Sequence, residues 1–282
     1  MNGKRQVVLA VECDFPGYQP YEGLCTYDHA QSKRLVSLAV DFVLKVCGGK
    51  GVFFIHTSPF MRRNHSNPFF NNSEYLNLWQ RVQDGGGEIG LHPHEEEPDG
   101  SCFYYYYSKH MERVINEHAE LLRSRGFNIS SQMMGYFGMN EWITPIAENQ
   151  GLVISMNNVG KYVKYSHNNW NEAPLKPYFH SYDDSKAPGD SRVLEIPLGM
   201  TDLMRYEDGL VLDANSLWDL KRTWRQMEAE GKTWPCFVLL RASKIEQCRA
   251  TAERFLGFIT KRRAMLSTPS EIYKIYTEGQ LY

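Results

Sequence analysis

Two histidines separated by one proline, His92 and His94, end the short apolar segment Glu88-Ile89-Gly90-Leu91. Neutral imidazoles are good ligands for a divalent ion, and the proline stiffens the backbone that presents them. Spacing alone says little: with nine histidines in the chain, chance supplies roughly 0.3 His-x-His patterns. A surface loop is the plain alternative. A second group, Glu12 and Asp14, follows the apolar run Val7-Val8-Leu9-Ala10-Val11. Two acids at i and i+2 on an extended strand point the same way. Side by side they are costly without a cation, so the pair invites a metal or a shared proton. A single acid capping the next turn is the competing reading. His56 closes a third apolar run, Gly51-Val52-Phe53-Phe54-Ile55, and either lines the same mouth or simply ends its strand.

These residues need elements that bring them together. Seven runs have strand character: 7–11, 51–56, 88–94, 131–137, 152–156, 193–198 and 236–240, the last ending at Arg241. Helical patterns separate them over about 31–47, 73–84 (capped by Asn72 or Ser73, with Leu76, Leu78, Trp79 and Val82 on the buried face), 108–125, 141–149, 213–230 (capped by Asp213) and 245–263. Thr268-Pro269-Ser270-Glu271 opens a terminal helix in capping-box form. Strands alternating with helices are the order of a βα barrel or a doubly wound sheet, both of which build ligand sites at the C-terminal ends of their strands. Two stretches fall outside this rhythm. Residues 95–107, acidic then aromatic, suit a site rim, although a run such as Glu95, Glu96 and Glu97 is more often only solvated. Residues 160–191, rich in Asn, Tyr, Pro and Asp, read as a long functional loop near the mouth, holding Tyr178 and His180.

Composition narrows the class. The 282 residues are 42% hydrophobic with a formal charge of −2, which gives a globular core and no basic surface for nucleic acid. No apolar run approaches the ~20 residues of a membrane helix. The first residues run straight into a strand, with no secretory segment, and the six scattered cysteines read as reduced thiols; a cytoplasmic location is expected.

In a barrel, the ends of the first and third strands meet at one mouth. One or two carboxylates and two imidazoles then surround a point, an oxygen and nitrogen set suited to Zn²⁺ or a similar ion with an open position. Such an ion lowers the pKa of bound water from ~15.7 towards ~7 and polarises a carbonyl, which is what amide or ester hydrolysis needs. A spare carboxylate takes the proton.

At this point the chain resembles the polysaccharide deacetylases, the NodB-like carbohydrate esterases, over most of its length. The resemblance rests on ordered segments: the acidic pair after strand one, Val52-Phe53-Phe54-Ile55, Gly87-Glu88-Ile89-Gly90-Leu91-His92, Pro177-Tyr178 ahead of Leu194-Glu195-Ile196-Pro197, and Ser267-Thr268-Pro269-Ser270-Glu271-Ile272-Tyr273. It implies a distorted (β/α)₇ barrel spanning residues 1–282 as one domain, an Asp-His-His metal triad, and a first acid serving as base while water attacks an N-acyl sugar. By position, Glu12 is the base and Asp14, His92 and His94 are the ligands of a divalent ion, zinc or another.

Four departures matter. The base is Glu rather than Asp. The second histidine lies two residues after the first instead of four, where Glu96 stands as a substitute ligand or substrate contact. The arginine motif after strand four is replaced by Gln132-Met133-Met134-Gly135-Tyr136. Strand seven ends in Leu240-Arg241 where the family has a Leu-His pair. Arginine stays charged and cannot act as the acid, so it is expected to bind an oxyanion or a substrate phosphate or carboxylate. The acid then falls to His56, His180 or a loop tyrosine. Glu96, Tyr136, Tyr178 and His180 are the substrate-binding candidates. The expected substrate is an amino sugar, free or linked to a nucleotide or lipid, carrying an acetyl or formyl group. A barrel that binds carbohydrate without hydrolysis is the alternative.

Overall fold

Seven parallel strands follow one another around the sheet in the order in which the chain makes them. In the computed structural model, β1 (Gln6–Cys13), β2 (Val52–Thr57), β3 (Glu88–Pro93), β4 (Ile129–Gln132), β5 (Ile154–Ser155) and β6 (Leu194–Glu195) each pair with the next, and β7 (Cys236–Arg241) returns to pair with β1. The structure describes the chain except residues 1–3, 17, 20–23, 95, 99–102, 106–109, 165, 203–208 and 280–282. Val7 to Val11 and Val52 to Ile55 are completely buried, as strands covered on both faces must be. Between β6 and β7 there is no ladder among the described residues, only the parallel bridges Leu198↔Phe237 and Val211↔Leu239. The result is the expected distorted seven-stranded barrel, closed by a seam of single bridges.

Helices cover the outside. α1 (His29–Val46), capped by Asp28, buries Leu35, Val36, Ala39, Val40 and Val43 along one stripe, the i, i+3/i+4 spacing of an amphipathic helix. Two short helical pieces, Pro59–His65 and Pro68–Asn71, follow β2. In α2 (Ser73–Asp84) Asn72 is the cap, and Tyr75 rather than Leu76 joins Leu78, Trp79 and Val82 on the buried face. α3 (His110–Ser124), α4 (Ile143–Asn149), α5 (Leu217–Ala229), α6 (Ile245–Lys261) and α7 (Pro269–Thr277) complete the set. The Thr268–Glu271 capping box is present as expected. Cys13, Cys47, Cys236 and Cys248 are buried free thiols. Among the described residues, no helix is long and apolar enough to cross a membrane.

Three expectations are corrected. The fourth strand stops at Gln132 because Tyr136 and Phe137 take left-handed backbone angles, φ 50° and 54°, which end extended structure. Ser216, not Asp213, caps α5 through its hydroxyl; Asp213 is otherwise engaged, as described below. The 160–191 stretch carries short pairings of its own, Tyr162–Val163 with Asn168–Asn169 and Tyr178–Phe179 antiparallel to β6.

Within β3, Gly90 is register partner to the buried Phe54. A Cβ there would lie 2.6 Å from the Phe54 ring and 2.8 Å from Ser131 Oγ, so the phenyl ring crosses the strand where only glycine leaves room. Gly90→Ala is expected to cost about 1–3 kcal/mol by overpacking. A denaturation midpoint equal to that of the native chain would show that the ring has somewhere else to go.

Candidate metal centre

Ladder register brings the chemical groups together. Glu12 at the end of β1 sits opposite Arg241 at the end of β7, and His56 of β2 sits opposite His92 of β3. Just past these strands lie Asp14 and His94. Ligand atoms of Asp14, His56, His92 and His94 all fall within 4.8 Å of one another. Asp14 Oδ1 is 2.6 Å from His56 Nδ1, 3.6 Å from His92 Nε2 and 3.8 Å from His94 Nε2. The two Nε2 atoms of His92 and His94 are 2.8 Å apart. Glu12 flanks this cluster, 3.9 Å from His92 Nε2.

Burial sets the charge states. Desolvation lowers His56 from its ordinary 6.5 to about 3 and His92 to about 4, and takes His94 well below its usual range, so all three rings are neutral near pH 7. The same desolvation raises Asp14, and raises Glu12 well above the carboxylate range with the Asp14 charge adding to it. Neutral imidazoles beside carboxylates short of positive charge are the donor set that a borderline divalent ion satisfies. The residues therefore fit a metal. Asp14, His92 and His94 could hold it, with His56 against Asp14, and its chemistry there would be Lewis acidity and activation of water.

Behind His92 the supporting structure is continuous. His92 Nδ1 donates to the Met133 carbonyl at 2.5 Å, which leaves Nε2 with its lone pair facing the cluster. The N–H of the same peptide, on Met134, donates to Asn157 Oδ1 at 2.7 Å. Asn157 Nδ2 donates to Ser155 Oγ, and Ser155 donates to the fully buried Glu195. Glu195 also accepts from the backbone of Asn157 and Asn158 and bonds His180 Nε2 at 3.0 Å. His94 is held differently. A Cβ on Gly135 would lie 2.5 Å from the His94 ring, so the imidazole rests directly on backbone. The left-handed Tyr136–Phe137 turn that follows costs roughly 1 kcal/mol per residue. It is strapped by Ser166 Oγ on the Tyr136 carbonyl and by Asn168 and Trp170 on the Phe137 carbonyl.

A cavity of ≈ 230 Å³ opens onto this cluster. Of the residues singled out in sequence, Glu12, His92, His94, Tyr136 and Arg241 line it. Asp14 and His56 belong to the cluster, and the His56 side chain is fully enclosed. Tyr178 and His180 are not brought to the cavity: Tyr178 donates to the Ser185 carbonyl, and His180 is buried between Thr144 and Glu195. The backbone of Glu96 pairs with Tyr105, but its side chain, like much of the 95–107 rim, lies outside the described residues. Sequence reading passed over Lys161, which lines the cavity, and Asn157. It also missed the true role of Asp213, which is almost wholly buried and grips Arg241 at both its backbone N–H (3.1 Å) and Nε (2.6 Å).

With the geometry in place, comparison with known proteins is informative on one point. No protein family and no curated relative matches the sequence itself. Solved structures do match. A protein classed with the polysaccharide deacetylases, from Mycobacterium smegmatis, superposes with a TM-score of 0.62 at 14% identity, over 100% of this chain and 93% of that one. PuuE allantoinase gives 0.61 at 14% identity, over 100% and 94%. A second protein of the deacetylase class, from Pseudomonas aeruginosa PAO1, gives 0.60 at 13%, over 98% and 92%. The chain has the polysaccharide deacetylase fold. In this deacetylase-type barrel the acidic pair, His56 and His92 all stand at strand ends, the face on which such folds carry their sites.

Two outcomes are expected. Asn157→Ala removes the acceptor that orients the 133–134 peptide, and should weaken binding of zinc to the refolded, chelator-stripped protein by about 10–100-fold; unchanged affinity in titration would separate Asn157 from His92. Metal uptake should also strengthen as pH rises above the ordinary carboxylate range. His56 and His92 have no proton to lose above about 4, whereas Glu12 and Asp14, raised by burial, must release theirs. Calorimetry in buffers of different ionisation heat would read that release, and Glu12→Gln should reduce it. A profile centred near 6.5 and indifferent to Glu12→Gln would assign the proton to an imidazole instead. Against the unfolded chain the sign for histidine is separate: the neutral buried rings give stability that is full above 6.5 and lost as pH falls towards 4.

Proposed function

We propose that the chain is a metal-dependent hydrolase that removes an acyl group, acetyl or formyl, from the nitrogen of an amino sugar or related amide. The observation that carries this reading is Glu12 on the wall of a cavity whose floor is the His92–His94 pair. Asp14, His92 and His94 would hold a divalent ion, zinc by donor chemistry. His56, enclosed and 2.6 Å from Asp14, would orient that carboxylate by donating from Nδ1, so it is a positioning residue in place of the acid expected for it. An ion held there would supply acidity to water and polarise the acyl carbonyl.

Glu12 has the reach and the proton affinity for the rest. It takes a proton from the water that adds to the acyl carbon. With a pKa raised by burial and by Asp14, it then returns that proton to the departing nitrogen as the C–N bond breaks. One carboxylate thereby covers the step for which the family pattern uses a histidine, at the position that here is Arg241. Two neighbours classed as deacetylases and one allantoinase are in keeping with hydrolysis.

The test is metal content followed by turnover. Protein purified without added metal is expected to carry about one equivalent of a divalent ion. His92→Ala and His94→Ala should lose it, and His56→Ala should only weaken it. Acetate or formate release from N-acyl amino sugars should need the ion and fall at least about 10²-fold in Glu12→Gln. A wild-type chain that takes up no metal even after reloading would sink the mechanism and favour a carbohydrate-binding barrel without turnover.

A further inference from the structure

We propose that the substrate carries an acid group, a phosphate or a carboxylate, which Arg241 and Lys161 hold in the cavity while the acyl end meets the metal site. The inference rests on the hydrolase reading for the identity of the acyl end, and on separate observations for the acid.

Arg241 is a prepared oxyanion receptor. Its side chain is 40% exposed on the cavity. Asp213 takes its backbone N–H and its Nε, which fixes the plane of the guanidinium, while the two Nη groups make no hydrogen bond to a described residue. That edge presents a fork matched to two oxygens of a carboxylate or phosphate. Lys161, from the segment after β5, adds a second cation to the same cavity.

The remaining wall points the same way. Met134, Phe137, Val159, Leu198, Val211 and Leu239 supply most of it, and no Asn, Gln, Ser or Thr lines it among the described residues. Against the apolar part of this wall the hydroxyl groups of a neutral polyol would go unpaired. A compact molecule with one acidic handle and one amide would leave none unpaired. The volume of ≈ 230 Å³ suits a single small unit rather than a polymer.

Calorimetric binding of three amine products to the protein as purified tests this without turnover: glucosamine, glucosamine 6-phosphate and muramic acid, which are respectively neutral, phosphate-bearing and carboxylate-bearing. At least one acid-bearing amine should bind about tenfold or more tightly than glucosamine, and the better of the two names the oxyanion. Lys161→Ala and Arg241→Ala should each erase much of that advantage, weakening the acid-bearing amine far more than glucosamine. Equal binding of all three by the wild type overturns the proposal. So does a pair of variants that lose neutral and acidic ligands alike. Steady-state rates add a further arm. Arg241→Ala should raise KM for an acid-bearing N-acetyl sugar by a larger factor than for a neutral one; an equal fall in kcat on neutral and acidic substrates with KM unmoved would make Arg241 an oxyanion donor and overturn its role here. A protein that prefers the acids but releases no acetate upholds this inference and sinks the hydrolase reading. One that hydrolyses neutral and acidic amides equally well does the reverse.

Discussion

Desolvation of a carboxylate among imidazoles is the constraint around which this barrel is built. Asp14 has only 15% of its side chain exposed and shares its surroundings with three rings that burial keeps neutral. An ionised carboxylate in such a place costs several kcal/mol unless a cation compensates it. The parallel ladders offset none of that cost; they enforce it, because the pairing of β1 with β2 and of β2 with β3 fixes where the side chains end. A one-residue slip in either ladder would turn the set to the other face of the sheet. Packing also keeps the rings from turning away: His94 lies on Gly135, and His92 is tied to the Met133 carbonyl. The arrangement is poised for a positive ion and is poorly stable in electrostatic terms without one.

Much of this was legible in the residues. The continuous apolar runs at 7–11 and 52–55 identify strands buried on both faces, and their parallel order puts Glu12, Asp14, His56 and His92 at one end. What the sequence could not convey was which side chains face inward beyond the strand ends. In sequence His56 reads as a mouth residue, a candidate acid or a strand terminus; only its 2.6 Å contact with Asp14 and its enclosure decide against a place on the cavity wall. His180 and Tyr178 sit in a suggestive, irregular stretch, yet pairing of Tyr178–Phe179 with β6 carries them to the buried Glu195 and Ser185 instead. Asp213 has the form of a helix cap, and local pattern alone assigns it that role. A long-range partner, Arg241, settles the matter.

Glu195 illustrates a related point about buried charge. It is fully enclosed, and its acceptors are taken by a serine hydroxyl, two backbone N–H groups and a histidine. Through Ser155 and Asn157 that network ends on the peptide that binds His92. A satisfied network of this kind rigidifies the elements it joins. Here it joins the ends of β5 and β6 to the turn after β4, three places where the strands are too short to hold themselves in register.

The short strands also explain where the cavity is. β5 and β6 are two residues long, and the edge of β7 is completed by two separate pieces of chain. Residues 197 and 199 exchange bonds with Phe237, and residues 210 and 212 with Leu239. A regular seventh ladder would fill the barrel interior at this seam with alternating strand side chains. The broken seam instead leaves Leu198, Val211 and Leu239 as a wall, with Arg241 at its rim. The imperfection in the barrel is thus the feature that makes room beside the cluster of Asp14 and the histidines. Arg241 at the end of β7 then has a structural reason as well as a chemical one. A short side chain there would end inside the gap, whereas a long one anchored by Asp213 spans it and sets its charge over the opening.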